Sequence, residues 1–132
     1  MYRSKILAID FDGTIAEAAF PGLGKIKPGA KEYINKLFDE GYTIIIHTCR
    51  TGIFEGHAQN FLEYIGIKYH YINTNLPSQV EYFKQDSRKI SADLYIDDKC
   101  LMGLPESWEE IYNIIKQKLP LDETKGILSK LN

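Results

Sequence analysis

Two aspartates, Asp10 and Asp12, stand directly after a short apolar run in this sequence, and Gly13 and Thr14 follow them. Carboxylates at the end of a buried strand carry a desolvation cost unless a cation or hydrogen-bond donors offset it. If the strand continued through both residues, their side chains would face the same side of the sheet. The pair therefore predicts either a site for a hard cation or an acid and a nucleophile held side by side. A strand that enters an ordinary Asx-type turn is the alternative.

Polar and charged residues also follow two further apolar runs of the chain. Thr48, Cys49 and Arg50 come after a run of β-branched residues, and Asp97 and Asp98 come directly after another apolar run. In open α/β sheets, ligands bind beyond the carboxyl ends of the strands. If the strands are parallel, all these groups can converge on one edge of the sheet, and this convergence is the main argument for a functional site.

Apolar periodicity divides the chain into alternating strands and helices. Strands are predicted at residues 4–10, 42–47, 69–72 and 92–96, where apolar and β-branched residues run together. Helices are predicted from Pro28 to a stop at Gly41, from residue 54 to a stop at Gly66, and over residues 108–119. Ser78 and Glu81 have the spacing of a capping box, which predicts a short helix there. Residues 13–27 read as a loop, and the stretch from residue 120 as a helical turn or a tail. The alternation indicates an α/β fold with a mainly parallel central sheet.

Length and composition fit one domain, 1–132, with one core. The chain has 132 residues, of which 44% are hydrophobic and 26% charged, and its net charge is −2. These values argue against disorder and against general binding to nucleic acid or to anionic membranes. The two cysteines lack C-x-x-C spacing, which predicts reduced thiols and a cytoplasmic location. The first apolar run is too short for a signal peptide or a membrane span. The three histidines lack metal-ligand spacing, so structural or surface roles are predicted.

Together, the polar motifs resemble those of the haloacid dehalogenase (HAD) superfamily of Rossmann-like phosphatases. Residues 10–14, Asp-Phe-Asp-Gly-Thr, match its first motif, and Thr48 after an apolar strand matches its second. Lys89 matches the third motif, and Asp97-Asp98 matches the fourth. The resemblance spans nearly the whole chain, most firmly residues 5–100. It implies a Rossmann-like three-layer sandwich, but it does not identify a substrate.

The resemblance implies a Mg²⁺-dependent phosphatase that works through an aspartyl-phosphate intermediate. It makes Asp10 both the nucleophile and a metal ligand. It makes Asp12 the general acid, with its backbone carbonyl as a further metal ligand. Asp97 completes the set of metal ligands from the protein that the resemblance implies. Asp98 either binds the metal through water or orients the other ligands, because adjacent strand residues face opposite ways.

Thr48, Cys49 and Arg50 are the predicted phosphate- or substrate-binding residues. Thr48 would donate its hydroxyl to phosphate oxygens alongside neighbouring backbone N–H groups, and the helix that follows would add its positive end. Each residue has a plainer alternative: a β-branched strand end for Thr48, packing for the Cys49 side chain, and a surface position for Arg50.

Lys89 is the predicted catalytic cation, which would offset the charge of the nucleophile and of the phosphate oxygens. A solvated surface lysine is the alternative, since that is the usual position of lysines. Lys84 and Arg88 are rivals for the same role. Lys89 is preferred because its distance before the Asp97-Asp98 strand suits the family's pattern.

Members of this superfamily often carry a cap domain after the first motif or between the second and third. Residues 15–41 and 53–88 leave no room for one here, so the chain is predicted to be capless. The expected partner is a phosphorylated substrate, either a small molecule or an exposed phosphate on a larger one; a homo-oligomer is an open expectation. Two alternatives remain: a phosphotransferase or nucleotide-processing enzyme with the same intermediate, and a non-catalytic phosphate-binding protein.

Overall fold

Four short strands form one parallel sheet in the computed structural model, which describes residues 5–121. The strands are β1 (Ile6–Ile9), β2 (Thr43–Ile46), β3 (Tyr71–Ile72) and β4 (Leu94–Ile96). Their order is β3-β2-β1-β4, and every neighbouring pair runs parallel. β1 and β2 are buried along their whole length, as expected for central strands covered on both faces. The predicted parallel α/β sheet is therefore confirmed.

Within residues 5–121, four helices flank the sheet; the three longer ones lie close to where the apolar spacing predicts them, and the short one lies close to the predicted capping box. They are α1 (Ala30–Glu40), α2 (Gly52–Ile65), α3 (Pro77–Phe83) and α4 (Trp108–Lys118). Gly41 and Gly66 end α1 and α2 at φ angles of 112° and 92°, in the left-handed region that glycine adopts without strain. The Ser107 side chain caps α4 by accepting a hydrogen bond from the backbone N–H of Glu110.

The two faces of the sheet carry separate apolar clusters. Leu7 and Ile9 of β1 point to the larger cluster, which also contains residues of α1, α2 and α4. Ile6 and Ala8 point the other way, into a smaller cluster with Ile45. Leu76, next to α3, packs against this second cluster. The alternation of side chains along β1 thus separates three layers, which gives the Rossmann-like three-layer sandwich.

Two predicted helix starts are wrong. Pro28 lies before α1 rather than in it, because Gly29 takes a left-handed φ of 81° and the helix begins only at Ala30. The short helix near Ser78 exists, but it begins at Pro77, and Leu76 precedes it without a side-chain cap. The Glu81 side chain binds Lys84 instead of completing a capping box.

The two intervals where a cap domain would be inserted contain only core elements within the described residues. Residues 13–27 form a loop that a bridge between Ala16 and Ile26 holds together, and residues 53–88 contain most of α2 together with β3 and α3. Within residues 5–121, no helix is both long and apolar enough to cross a membrane. Nearly all of the predicted turn or tail from residue 120 lies outside the described residues.

Candidate active site

The register of the sheet brings together residues that are far apart in the sequence. Ile9 at the end of β1 pairs with Ile46 of β2 on one side and with Ile96 of β4 on the other. The next residues, Asp10, His47 and Asp97, therefore emerge side by side at the carboxyl edge. Backbone hydrogen bonds continue the ladder by one step, from the Asp10 N–H to the Ile96 carbonyl (2.9 Å) and from the His47 N–H to the Ile9 carbonyl (2.8 Å).

Three carboxylates meet at this edge. Asp10, Asp97 and Asp98 each offer an oxygen within 4.8 Å of the others. The prediction that Asp97 and Asp98 face opposite ways is wrong, because β4 ends at Ile96 and strand alternation no longer applies to the residues after it. The two are still not equivalent: the backbone N–H of Asp98 donates to Thr14 Oγ1 (3.1 Å), whereas the Asp97 carboxylate accepts from the backbone N–H of Lys99 (2.9 Å).

The turn after β1 holds this cluster in place. The Thr14 hydroxyl, which is fully buried, donates to Asp10 Oδ2 (2.9 Å) while it accepts from the Asp98 N–H. One side chain thus links the first and the fourth motif. Gly13 has a φ of 89°, and a Cβ at this position would overlap the Asp98 carboxylate. Glycine is therefore required here both by the backbone conformation and by the close approach of Asp98.

Asp10 is the most strongly perturbed acid of the site. Burial raises the pKa of its carboxyl from 3.8 to about 7, and the negative charges of Asp97 and Asp98 add to that rise. The hydrogen bond from Thr14 works in the opposite direction. An acid whose ionised form is this costly, next to two further carboxylates, is typical of a functional site rather than of a solvated surface.

A cavity of about 240 Å³ opens over the cluster and contains basic groups as well as acidic ones. Asp10, Asp97, Lys89, Lys99 and His47 all line it. His47 reaches the same edge as Asp10 because it directly follows β2; the structural or surface role of the histidines stays a prediction. Lys99, which the sequence motifs did not single out, adds a second ammonium group to the cavity.

Of the three rival cations, Lys89 lies at the cavity. Its ammonium group is 4.9 Å from the centre of the Tyr95 ring, and both residues line the cavity wall. Lys84 instead forms an exposed ion pair with Glu81 (2.7 Å). Arg88 is exposed, and neither it nor Lys84 is part of the cavity wall as described. The catalytic role of Lys89 stays a prediction, and its place in the wall of the same cavity as Asp10 supports it.

Asp12 is separated from the acidic cluster. The condition for the predicted alternation of Asp10 and Asp12 is not met, because β1 ends at Ile9 and the chain turns, with the backbone N–H groups of Ile15 and Ala16 donating to the Phe11 carbonyl. The Asp12 carboxylate instead accepts two hydrogen bonds of 2.7 Å from Arg50, one at each oxygen. A metal contact through its backbone carbonyl stays a prediction.

The loop after β2 orders Thr48 and Arg50 but leaves Cys49 exposed. Thr48 Oγ1 accepts from the Arg50 N–H (3.1 Å), and Asn73 Oδ1 accepts from the Thr48 N–H (2.9 Å). Thr48 is thus a buried, hydrogen-bonded loop residue whose hydroxyl proton has no protein acceptor among the described residues. The packing role considered for Cys49 is wrong, because its side chain is exposed. Phosphate binding by these three residues stays a prediction.

Four residues of the site's framework were not singled out individually from the sequence, although Lys27 and Asn73 lie in loops, 15–27 and 73–77, that were expected to determine substrate specificity. Thr14 lies inside the first motif, so its position there was the available signal. Lys99 directly follows the fourth motif. Asn73 and Lys27 act at long range: Asn73 also donates to the Arg50 carbonyl (3.1 Å), and the Lys27 ammonium group donates to the Gly13 carbonyl. Neither contact has a signature in local spacing.

Comparison with known proteins finds one informative relative. No protein-family model matches the chain, and no curated protein matches it. The solved structure of a conserved protein from Bacteroides thetaiotaomicron is similar, with 34% sequence identity and a TM-score of 0.78. The match covers 88% of this chain and 93% of that chain. At this identity and coverage, the chain belongs to the same family as the conserved Bacteroides thetaiotaomicron protein.

Proposed function

We propose that the protein is a capless phosphatase of the HAD superfamily, a hydrolase of phosphoric monoesters that works through an aspartyl-phosphate. The observation that carries this proposal is the cluster of Asp10, Asp97 and Asp98 beneath a cavity that also contains Lys89. Carboxylates and an ammonium group around one cavity suit a phosphate ester together with the cation that its charge requires.

The residues of the cluster fit Mg²⁺. All three donors are carboxylate oxygens, the ligands that hard cations prefer, and burial and mutual repulsion make an ion-free cluster electrostatically costly. Asp10, Asp97 and Asp98 would hold the ion, and the Asp12 backbone carbonyl is a further candidate. When bound, Mg²⁺ supplies the positive charge that offsets repulsion between an anionic nucleophile and an anionic ester.

The chain's own residues divide the chemistry between them. The Asp10 carboxylate attacks phosphorus, the ester P–O bond breaks, and Asp12 gives a proton to the leaving oxygen. Water then attacks the aspartyl-phosphate while Asp12 takes its proton, so that inorganic phosphate leaves and Asp10 is regenerated. Lys89 would stabilise the charge on the phosphate oxygens, and Thr48 would donate its hydroxyl to one of them.

The surroundings of the cavity leave space for the non-reacting part of the substrate. Lys89 and Tyr95 line a second cavity of about 540 Å³ as well as the one over the cluster. Phe83, Gln85 and Ser87 form other parts of its wall. With no cap domain over the site in the described residues, this open arrangement supports a substrate that is either sizeable or part of a larger molecule.

The test is release of inorganic phosphate from 4-nitrophenyl phosphate with and without Mg²⁺, for wild type and for Asp10→Asn. We expect Mg²⁺-dependent turnover in wild type and a loss of about 10⁴-fold or more in the variant, as for other nucleophile replacements. Asp39→Asn is the matched control, since Asp39 is exposed in an ion pair with Lys68. Equal turnover by wild type and Asp10→Asn would contradict the proposal, and transfer of phosphate to an acceptor other than water would favour a phosphotransferase.

A further inference from the structure

Arg50 is a buried arginine, and its guanidinium group is engaged by the protein itself. The residue is 2% exposed. Its Nε and Nη2 atoms donate to the two oxygens of Asp12, each at 2.7 Å, which is the bidentate geometry that a planar guanidinium forms with a carboxylate. Such a pair fixes the direction of the carboxylate as well as its position, because two parallel hydrogen bonds remove its freedom to rotate.

The same guanidinium also binds the loop that follows the first motif. Nη2 donates to the Gly22 carbonyl (2.6 Å) and Nη1 to the Pro21 carbonyl (3.3 Å). The group lies 5.4 Å from the centre of the Phe11 ring and 5.1 Å from that of Phe20. Arg50 thus joins three parts of the molecule: the loop after β2, Asp12, and the surface loop 20–22.

The backbone of Arg50 is held as firmly as its side chain. Its N–H donates to Thr48 Oγ1, and its carbonyl accepts from Asn73, which lies at the end of β3. Asn73 also binds the Thr48 N–H, so a single side chain connects both residues to the sheet. The arginine is therefore anchored to the rigid core rather than to a free loop, and it can set the position of whatever its guanidinium binds.

We propose that Arg50 is a positioning residue that acts through Asp12. It holds the Asp12 carboxylate and loop 20–22 next to the place that the leaving group of the substrate occupies. The role rests on the proposed function, because it assumes that Asp12 exchanges a proton with the leaving oxygen. It differs from direct phosphate binding by Arg50, because four hydrogen bonds already direct the guanidinium to protein acceptors.

The two roles predict different dependence on the leaving group. 4-Nitrophenolate leaves readily without a proton, whereas the alkoxide of glycerol 2-phosphate needs one. The experiment therefore compares kcat/KM on these two esters with Mg²⁺, because kcat/KM reports the step in which the leaving group departs. The proteins are wild type, Asp12→Asn, Arg50→Gln, Arg50→Lys and the double variant Asp12→Asn/Arg50→Gln.

A positioning role gives a specific pattern. Arg50→Gln lowers kcat/KM on glycerol 2-phosphate by about 10²-fold, as expected when a reacting group is misplaced, but changes the value on 4-nitrophenyl phosphate by less than about tenfold. The kcat/KM of Arg50→Lys on glycerol 2-phosphate lies between those of wild type and Arg50→Gln, because an ammonium group cannot form the bidentate pair. The kcat/KM of the double variant is no lower than that of Asp12→Asn alone, since both changes act on the same step.

Direct phosphate binding gives the opposite pattern and would overturn the proposal. Both esters would then lose kcat/KM equally, inhibition by inorganic phosphate would weaken in Arg50→Gln, and the losses in the double variant would multiply. A wild-type protein that hydrolyses neither ester would contradict the proposed function, and the role of Arg50 would fall with it. Wild-type turnover with equal losses would contradict the role of Arg50 alone.

Folding is controlled separately, because Arg50→Gln leaves the Asp12 carboxylate without its partner. The double variant removes both charges and so avoids that cost, and thermal unfolding of every variant shows whether the fold is kept. Lys68→Gln is a matched control for loss of a cation, since Lys68 pairs with Asp39 (2.8 Å) and is exposed. It is expected to match wild type on both esters.

Discussion

Asp10 and Asp12 are two residues apart, but they lie in opposite electrostatic environments. Asp10 meets Asp97 and Asp98, and burial beside these charges raises its pKa to about 7. Asp12 meets the guanidinium of Arg50 at both of its oxygens. The site thus has an acidic half, in which three carboxylates lie close together, and an arginine half, in which one carboxylate is paired with a guanidinium group.

The difference between the halves indicates what each is suited to bind. The acidic half is suited to a cation, because its carboxylates could share one. The arginine half is complete without a ligand, so its part is to hold a carboxylate and a loop in place. If this division is correct, substitutions in the two halves must separate metal binding from leaving-group chemistry.

Among substitutions that keep all three carboxylates, the largest effect is expected from Gly13→Ala, which acts on the acidic half. Its Cβ would overlap the Asp98 carboxylate, and its φ of 89° disfavours any other residue. We expect Mg²⁺ affinity and activity to fall by about 100-fold or more, since displaced metal-site groups typically cost 10–100-fold. The measurement is the increase in Tm on titration with Mg²⁺, together with phosphate release.

Gly103→Ala separates backbone strain from the clash in this prediction. Gly103 also has a positive φ, 73°, but a Cβ there would meet nothing within 4 Å. Gly103→Ala should lower the free energy of unfolding by about 1–2 kcal/mol and leave the increase in Tm on titration with Mg²⁺ unchanged. Arg50→Gln should also keep that response. Loss of the response in Arg50→Gln would show that the two halves are not independent.

A smaller effect is expected from Thr14→Val, which keeps the shape of the side chain but removes the hydroxyl between Asp10 and the Asp98 N–H. A buried N–H without an acceptor costs about 1–3 kcal/mol, and Mg²⁺ affinity should fall by about tenfold. Thr43→Val in β2, also buried, is the matched control. Isothermal titration would measure the Mg²⁺ affinity of both variants. Equal affinities of Thr14→Val and Thr43→Val would show that Thr14 does not organise the acidic half.

The last prediction concerns the dependence of stability on pH in the metal-free protein. The pKa of Asp10 is raised from 3.8 to about 7 in the folded state, so the folded protein binds more protons than the unfolded one between these values. The contribution of Asp10 to stability is therefore fully present below pH 3.8 and is lost as pH rises through 7. Thermal unfolding in EDTA should show this decline in wild type relative to Asp10→Asn, and parallel curves would contradict it.

The sequence was sufficient to predict the elements that carry the site. Apolar runs and glycine stops indicate the strands and the three longer helices. A strand buried on both faces gives a continuous apolar run, whereas a helix buried on one face gives apolar residues at helical spacing. The convergence of Asp10 and Asp97 follows from parallel pairing alone, since residues after paired strand ends must be neighbours. The predicted convergence of Asp10 with Asp97 and Asp98 was therefore confirmed.

Predictions that depend on strand alternation beyond the strand ends have no basis in the structure. Asp10 and Asp12 on one side, and Asp97 and Asp98 on opposite sides, both assume that β1 and β4 continue past Ile9 and Ile96. The chain turns at both points, and the direction of a side chain in a turn is set by its hydrogen-bond partners. Those partners come from distant segments, as Arg50 does for Asp12, so the spacing of residues in the local sequence does not predict them.

The hydrogen bond from the Trp108 indole to the Thr14 carbonyl, 3.1 Å long and buried, joins partners 94 residues apart. At about 5–20 residues per second of synthesis, roughly 5–20 s separate the appearance of Thr14 from that of Trp108 on the ribosome. Until then the turn after β1 lacks this anchor, and for most of that time Asp97 and Asp98 have not been made either. A growing chain therefore holds no assembled acidic cluster until β4 and α4 have emerged, and it presents no preformed carboxylate site to the metal ions of the cell.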